Sequence, residues 1–330
     1  MDLIGIDQTH APTAVNVIIV VVTILVIAQG AHWLVEAAAR IAKRLGISEL
    51  VIGLTVVALG TSAPEFAVTL TAAFKHQGDI SVGNIVGSNI FNLGFIMGGC
   101  ATFRAIPTSM ILFKRDGPFL VGSSFLLLAL IGWDLRLGRI DGMILLVLLG
   151  AYLVLLFKQR KVDSQMQLEP EEEPSRLVRL PSLPRDSLVL ISGLVLVTLG
   201  SRVLVDAATA VARSFGVSEW VIGVTIIAAG TSAPEFATTL VGVVKRRFDI
   251  SAGNLIGSDI FNLLGVLGLA GTLQPVAVDP MARYSILALA LMVVVVMVFM
   301  RTGWRISRLE GAGLLFIALA RWIFDFSTRR

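Results

Sequence analysis

Two identical heptapeptides, each with a proline beside a glutamate, contain the residues of this chain best suited to chemistry. The sequence GTSAPEF occupies residues 60–66 and recurs at residues 230–236. Both copies lie within apolar stretches long enough to cross a bilayer, where a proline breaks a helix and a buried carboxylate is costly. Because ionisable residues inside a membrane mark functional sites, we interpret Glu65 and Glu235 as parts of a binding site.

The residues around Glu65 place several oxygen atoms on one helical face. Ala58, Thr61 and Ser62 precede it at the i, i+3, i+4, i+7 spacing of a helix. They add a carbonyl and two hydroxyls to the carboxylate. Pro64 has no N–H to donate to the Gly60 carbonyl, and its ring displaces that carbonyl. We therefore expect a broken span in which the carbonyls from Ala58 to Thr61 are free. Such oxygen atoms are the ligands that hard cations prefer.

The second heptapeptide repeats this set, and two glycine-rich segments, 83–92 and 253–262, complete it. In each segment two glycines four residues apart predict that helices approach closely. The further candidate ligands are Ala228, Thr231, Ser232, Glu235, Ser88, Asn92, Ser258 and Asn262. For Asn84 and Asn254, a ligand role and a helix-cap role both remain open. The single cysteine, Cys100, excludes a thiol-based metal cluster, and we expect no cofactor.

The composition is that of an all-α polytopic membrane protein. The chain is 55% hydrophobic and 15% charged, with a mean hydropathy of +0.85. Apolar runs of about 20 residues recur along it, and they lack the alternation of a membrane β-barrel. We expect ten transmembrane helices, at residues 15–38, 49–74, 80–101, 118–133, 140–157, 187–210, 219–244, 250–272, 283–300 and 309–326.

The two halves of the chain are an internal duplication. A shift of 170 aligns residues 30–99 with residues 200–269 without a gap, and 37 of the 70 positions are identical. Five spans per half is an odd number, so the second half enters the membrane from the opposite side. We therefore expect two inverted repeats, 1–157 and 187–330, whose broken helices meet at the midplane. The polar segment 158–186 is expected to be a linker.

The distribution of basic residues predicts the orientation of these spans. Of the 27 Lys and Arg residues, 18 lie in the loops that follow the odd-numbered spans. The positive-inside rule predicts that those loops and the linker lie in the cytoplasm. It predicts that both termini lie on the outer side of the inner cell membrane. We expect the transmembrane helices to be surrounded by the lipid bilayer. The net charge of +4 does not suggest a nucleic-acid partner, and no obligate protein partner is inferred.

Four short motifs resemble the two alpha repeats of the cation/calcium exchanger superfamily, which includes the sodium/calcium exchangers and their prokaryotic relatives. They are GTSAPE at 60–65 with GSNIFN at 87–92, and GTSAPE at 230–235 with GSDIFN at 257–262. The resemblance covers nearly the whole chain. It implies a central Ca²⁺ site with Na⁺ sites on either side, and long gating helices formed by the first and sixth spans.

The resemblance also implies a role for each candidate ligand. Glu65 and Glu235 would bridge the Ca²⁺, helped by the carbonyls of Thr61 and Thr231. Asn92 and Asn262 would face the middle of the site. One Na⁺ site would be lined by Ala58, Thr61, Ser62 and Ser258, and the other by Ala228, Thr231, Ser232 and Ser88.

Charge balance predicts an antiporter rather than a leak. One Ca²⁺ or two Na⁺ neutralise the two carboxylates, whereas an empty, doubly charged site is costly to carry through a dry gate. We therefore expect Na⁺/Ca²⁺ antiport by alternating access. The alternatives are Ca²⁺/H⁺ exchange on the same scaffold and a cation channel, which would need a continuous pore. A hydrolase using Ser62 or Ser232 lacks an adjacent base, so we do not expect an enzyme.

Overall fold

Long helices make up most of the described chain, which in this computed structural model comprises residues 12–166, 182–216 and 228–328. In the first repeat they are α1 (Thr13–Leu45), α2 (Glu49–Thr61), α3 (Ala63–Phe74), α4 (Gly78–Phe103), α5 (Leu112–Asp134) and α6 (Arg139–Met166). In the second repeat they are α7 (Leu183–Ser214), a turn at Ala228–Gly230, α8 (Ala233–Val244), α9 (Phe248–Leu273), α10 (Ala282–Arg301) and α11 (Arg308–Thr328).

These helices form a multi-pass membrane protein, as the hydropathy predicts. Seven of the described helices are long and apolar enough to cross a bilayer, and α2 with α3 makes an eighth span that is bent by 49°. The predicted seventh span is described only from Ala228 onward, because residues 217–227 lie outside the described ranges. The predicted boundary at 157 falls inside α6, which continues to Met166. Most of the predicted linker lies in 167–181, outside the described residues.

Four two-residue strands join the repeats to each other. They are β1 (Ile106–Pro107), β2 (Arg136–Leu137), β3 (Val276–Ala277) and β4 (Arg305–Ile306). β1 pairs antiparallel with β4, and β2 pairs antiparallel with β3. A shift of 170 relates β1 to β3, and a shift of 169 relates β2 to β4, so the two pairings are equivalent under the repeat. Since α5 separates β1 from β2, one pairing lies at each end of the helices.

The centre of the molecule is formed by α4 and α9. Of the residues in their apolar windows, 67% in α4 and 83% in α9 are buried. The glycines of α9 allow the close approach that the sequence predicts, because a Cβ on Gly257 would lie 2.7 Å from the Leu54 Cα of α2. For Gly83 and Gly87 of α4, no described atom lies within 4 Å of an added Cβ. The residues of the second repeat that correspond to the neighbours of Gly253 and Gly257 lie within 220–228. Most of that segment is outside the described residues.

The helices α1 and α7 pack along each other outside this centre. Only 28% of the apolar window of α1 and 22% of that of α7 are buried. Their remaining apolar side chains are exposed on the protein and suit contact with lipid. The two equivalent helices of the repeats therefore form a peripheral pair around a buried core.

Candidate functional site

Each proline–glutamate motif starts a new helix. α2 ends at Thr61, the backbone of Ser62 departs from helical geometry with a ψ of 7°, and Pro64 lies in the first turn of α3. In the second repeat, Ser232 has a ψ of 9° and Pro234 lies in the first turn of α8. Proline is tolerated there because the N–H it lacks would have no partner within the helix. The predicted break is thus confirmed, and it places each glutamate in the first turn of a helix.

The two glutamates are joined to the opposite repeat by reciprocal hydrogen bonds. Ser62 Oγ donates to Glu235 Oε1 at 3.1 Å, and Ser232 Oγ donates to Glu65 Oε1 at 3.0 Å. Both carboxylates are completely buried. The two broken spans therefore meet at their breaks, and each carboxylate is held by the serine that precedes the other.

The candidate ligands Ala58, Thr61, Ser62 and Ser258 lie close together, but one expectation about them is wrong. The Ala58 carbonyl is not free as expected, because it accepts the Ser62 N–H at 3.0 Å and so remains in the helical ladder. It also accepts the Ser258 hydroxyl at 3.4 Å, which in addition contacts Glu235 Oε1 at 3.4 Å. The Thr61 hydroxyl donates to Asn254 Oδ1 at 3.0 Å. The sequence reasoning failed here because Pro64 interrupts the ladder only after Ser62.

The mirror-image set is described in less detail. The Ser88 hydroxyl lies close to the Glu65 carboxylate, as that of Ser258 does to Glu235. The Thr231 hydroxyl is buried and has no hydrogen-bond partner among the described residues. Ala228 begins the short helical turn before Thr231, but its side chain is outside the description.

Each glutamate has one oxygen that is not engaged by the protein. Glu65 Oε2 and Glu235 Oε2 are buried and have no hydrogen-bond partner in the described ranges. Neither carboxylate forms an ion pair there with Lys, Arg or His. Leaving a charge buried and unpaired costs several kcal/mol, so the arrangement favours binding of a cation between the repeats. The described residues contain no group of three His, Cys, Asp and Glu side chains that could hold a metal ion.

The two candidate amides lie in a network that includes a carboxylate the sequence analysis missed. Asn92 Nδ2 donates to Asp259 Oδ1 at 2.9 Å, and Asn262 Nδ2 donates to Asn89 Oδ1 at 3.0 Å. All four residues are buried. The signal for Asp259 was present in the sequence, because it occupies the only position at which GSNIFN and GSDIFN differ. The motif comparison used the identical residues and passed over the difference.

The cap role considered for Asn84 and Asn254 is wrong. α4 begins at Gly78 and α9 at Phe248, well before either residue. Asn84 Nδ2 donates to Thr69 Oγ1 at 3.0 Å, and Asn254 Nδ2 donates to Thr239 Oγ1 at 3.4 Å. These bonds join α4 to α3 and α9 to α8, so both amides position the helices that carry the glutamates.

The chain also matches a known protein family. A sequence model of the sodium/calcium exchanger protein family matches residues 15–158 and 187–324. The chain belongs to this family. The two matched ranges correspond to the two repeats and leave out the predicted linker.

Proteins similar to this chain match it over nearly their whole length. Inner membrane protein YrbG of Escherichia coli (strain K12) is 36% identical over 301 residues, which are 90% of this chain and 91% of that protein. The sodium/calcium exchanger MaX1 of Methanosarcina acetivorans is 29% identical over 342 residues, covering 93% and 97%. A solved structure of the sodium-calcium exchanger NCX_Mj superposes with a TM-score of 0.80 at 28% identity, covering 97% of this chain and all of that one.

Proposed function

We propose that this protein exchanges Na⁺ for Ca²⁺ and that Glu65 and Glu235 hold one Ca²⁺ jointly. Membership of the exchanger family makes it a cation/Ca²⁺ antiporter. The choice of Na⁺ as the counter-ion and the residues of the ion site are the parts that we propose.

The reciprocal serine–glutamate bonds carry this proposal. They bring two buried carboxylates from opposite repeats to one place, and each keeps one oxygen without a protein partner. Ca²⁺ takes six to eight oxygen ligands, and carboxylates bind it in one- or two-oxygen modes. A single Ca²⁺ between Glu65 and Glu235 would balance both charges and use both open oxygens.

The remaining ligands are assigned by their positions around the two breaks. We assign the main-chain carbonyls of Thr61 and Thr231 to Ca²⁺. The hydroxyls beside each glutamate are assigned to Na⁺. Na⁺ also prefers oxygen ligands, but as a monovalent ion it needs less negative charge on its ligands than Ca²⁺ does. One Na⁺ set is Ala58, Thr61, Ser62 and Ser258, and the other is Ala228, Thr231, Ser232 and Ser88.

The peripheral pair α1 and α7 is proposed to open the site alternately to the two sides of the membrane. Its two helices share far less buried surface with the rest of the protein than α4 and α9 do. A loosely packed pair can move against a rigid core without breaking the polar contacts of that core. The ion-loaded site would permit this movement, and the doubly charged empty site would oppose it.

Transport measurements distinguish the candidate counter-ions. Purified protein in sealed vesicles should take up ⁴⁵Ca²⁺ when an outward Na⁺ gradient is imposed, and should not do so with an H⁺ gradient alone. Uptake driven by the H⁺ gradient alone would establish Ca²⁺/H⁺ exchange instead. Ca²⁺ flux that neither gradient drives, and that does not saturate with Ca²⁺ concentration, would indicate a channel.

We further propose that the protein lies in the inner cell membrane with both termini outside and residues 158–186 in the cytoplasm. The excess of Lys and Arg in one set of loops supports this orientation. A periplasmic reporter enzyme fused after Arg330 should be active. A cytoplasmic reporter that is active at that position would contradict the proposed orientation.

A further inference from the structure

Two equivalent faces of the core, one on α8 and one on α3, differ in whether a peripheral helix covers them. On the α8 face, Ala237 and Val241 pack against a buried cluster formed by α1 and α7. The shift of 170 relates them to Ala67 and Thr71 of the α3 face, and both of these residues are exposed. They line a groove of about 330 Å³ along α3 and the start of α4. The same surface is therefore covered in one repeat and open in the other.

The peripheral helices show the matching difference. Leu34 and Val35 of α1 are 1% and 0% exposed. Their equivalents on α7, Leu204 and Val205, are only partly buried. The later half of α1 is thus packed against protein, whereas the later half of α7 is less covered.

The crossing of α1 and α7 itself keeps the symmetry of the repeat. A Cβ added to Gly30 would lie 3.1 Å from Val197 Cγ2, and one added to Gly200 would lie 2.8 Å from Ile27 Cγ1. The shift of 170 exchanges these two contacts. The asymmetry therefore arises from where the pair lies on the core, and not from how its two helices cross.

A lysine follows each of the two faces. Lys245 follows α8, and its Nζ contacts Glu36 Oε1 of α1 at 2.8 Å. The equivalent Lys75 follows α3 and forms no ion pair among the residues that the structure describes. The equivalent of Glu36 is Asp206, which is exposed on α7 and has the same charge. Both ends thus have the charges for this ion pair, but the pair is formed only at Lys245.

The contact between Glu36 and Lys245 differs from the other ion pairs at its end of the molecule. Asp186 of α7 contacts arginines of α1, so those contacts can move with the peripheral pair. Arg247, directly before α9, contacts Glu49 of α2, and both segments belong to the core. Only the Glu36–Lys245 contact joins the peripheral pair to the core. It has to break if α1 leaves the α8 face, whereas the others can persist.

We propose that Glu36–Lys245 and Asp206–Lys75 are alternating latches, ion pairs of which one breaks as the other forms. The inference rests on the proposed movement of α1 and α7. In the present structure α1 covers the α8 face and the Lys245 latch is closed. In the opposite state α7 covers the groove on α3, and Asp206 reaches Lys75. Partly exposed ion pairs are weak, so each latch shifts the balance of the two states by about two- to fivefold without locking either.

Paired cysteines test whether the two latches exclude each other. In a Cys100→Ala background, Glu36→Cys is combined with Lys245→Cys, and Asp206→Cys with Lys75→Cys. A short, reducible bifunctional thiol reagent should link each pair. In a variant with all four cysteines, formation of one link should prevent the other in the same molecule, which mass spectrometry of the intact protein resolves.

Transport tests whether each latch has to open. Either cross-link should stop ⁴⁵Ca²⁺ uptake into vesicles, and reduction should restore it. The matched control is Glu49→Cys with Arg247→Cys, in the same background. Its cross-link joins two core segments and should leave uptake unchanged.

Charge variants with a single reactive cysteine test the direction of the bias. The rate at which a maleimide labels Thr71→Cys reports the state with an open α3 face, and the rate for Val241→Cys reports the opposite state. In CaCl₂ or NaCl, Glu36→Gln should shift the ratio of the two rates about two- to fivefold towards Val241→Cys. Asp206→Asn should shift it the other way. Glu36→Lys with Lys245→Glu should restore the wild-type ratio.

Several results would overturn the latches. They are both cross-links in one molecule, uptake that persists after the link between positions 36 and 245 has formed, and no link between 75 and 206 in any ion condition. A labelling ratio that both charge variants leave unchanged, or shift in the same direction, would do so as well. Failure of the proposed antiport is a separate result, because uptake would then not follow a Na⁺ gradient in the wild type. The exclusion of the cross-links and the labelling ratio decide the latches in either case.

Discussion

The ion site and the ends of the peripheral helices differ in how well they preserve the symmetry of the duplication. At the site, Ser62 and Glu235 mirror Ser232 and Glu65 in sequence, burial and hydrogen bonding. At one end of the α1–α7 pair, buried Asp186 contacts the Nε atoms of Arg40 and Arg44 at 2.7 Å and 3.2 Å. The equivalents of these three residues at the opposite end are Asn16, Ala210 and Ser214.

The contrast extends only in part to the surroundings of that end. Arg247, which follows α8, contacts Glu49 of α2 at 2.6 Å. Lys245 contacts Glu36 of α1 at 2.8 Å, but the equivalents of these two residues, Lys75 and Asp206, keep the same charges. In the proposed orientation this charged end faces the cytoplasm. The equivalent of Arg247 at the other end is Gln77.

The comparison indicates where a duplicated transporter is free to diverge. In the proposed site both repeats contribute to the same ion, so a change in one half of the site has to be compatible with the other half. The ends of α1 and α7 face different compartments and contact different segments. They can acquire ion pairs at one end without affecting the site.

The largest expected effect is at the glutamates. Glu65→Gln and Glu235→Gln should each reduce Ca²⁺ uptake nearly to background, because one carboxylate leaves the charge of Ca²⁺ half compensated. The two losses should be similar, since the sites are equivalent. Initial rates of ⁴⁵Ca²⁺ uptake measure this, with the partly exposed Glu310→Gln as the matched control. A variant of either buried glutamate that kept near-normal uptake would show that residue to be structural.

The serines should give a smaller and again paired effect. Ser62→Ala and Ser232→Ala each remove one hydrogen bond to a buried carboxylate, which is worth about 1.5–3 kcal/mol, or roughly 10–100-fold in an equilibrium constant. We expect the apparent affinity for Ca²⁺, measured from the concentration dependence of uptake, to fall by a similar factor in both variants. Clearly unequal losses would show that the two halves of the site are not functionally equivalent.

Asp186→Asn should affect stability rather than transport affinity. It leaves Arg40 and Arg44 without their buried partner, and because both arginines are partly exposed we expect a loss of only about 1–2 kcal/mol. Thermal unfolding in detergent measures this change. If Asp186→Asn were as stable as the wild type, the two ends would be equivalent after all.

The smallest effect is expected at Glu36. Its contact with Lys245 is partly exposed, and such pairs contribute about 0–1 kcal/mol and weaken with salt. Glu36→Gln should therefore keep Ca²⁺ uptake and lower the melting temperature slightly at low salt, with the difference disappearing at high salt. A loss of uptake as severe as that of Glu65→Gln would place Glu36 on the ion path.

Much of the fold could be predicted from the sequence because the same motifs occur in both halves of the chain. The helical membrane class, the break before Glu65 and the close approach at Gly257 all follow from residue types whose backbone effects are strong. The extent of α6 could not be predicted, because its last turns to Met166 are polar and carry no hydropathy signal.

The residues of the candidate site are a prediction from the sequence, but their mutual contacts could not be predicted. Hydrogen-bond partners such as Ser62 and Glu235 come from distant parts of the chain, and only the packing of the repeats decides which serine meets which carboxylate. Four π-helical segments of the described residues were also not predicted, and two of them, Asn92–Met97 and Phe261–Val266, begin at or beside a candidate amide ligand. The extra residue in a π turn changes which side chains share a face, and local sequence patterns do not reveal it.

The account stands on one Ca²⁺ being shared by Glu65 and Glu235, and equilibrium binding tests this most directly. Purified protein should bind one Ca²⁺ per chain in a ⁴⁵Ca²⁺ binding assay, and added Na⁺ should displace it. Either glutamine substitution alone should remove this binding. Two bound Ca²⁺ per chain, of which each substitution removes only one, would contradict a shared site.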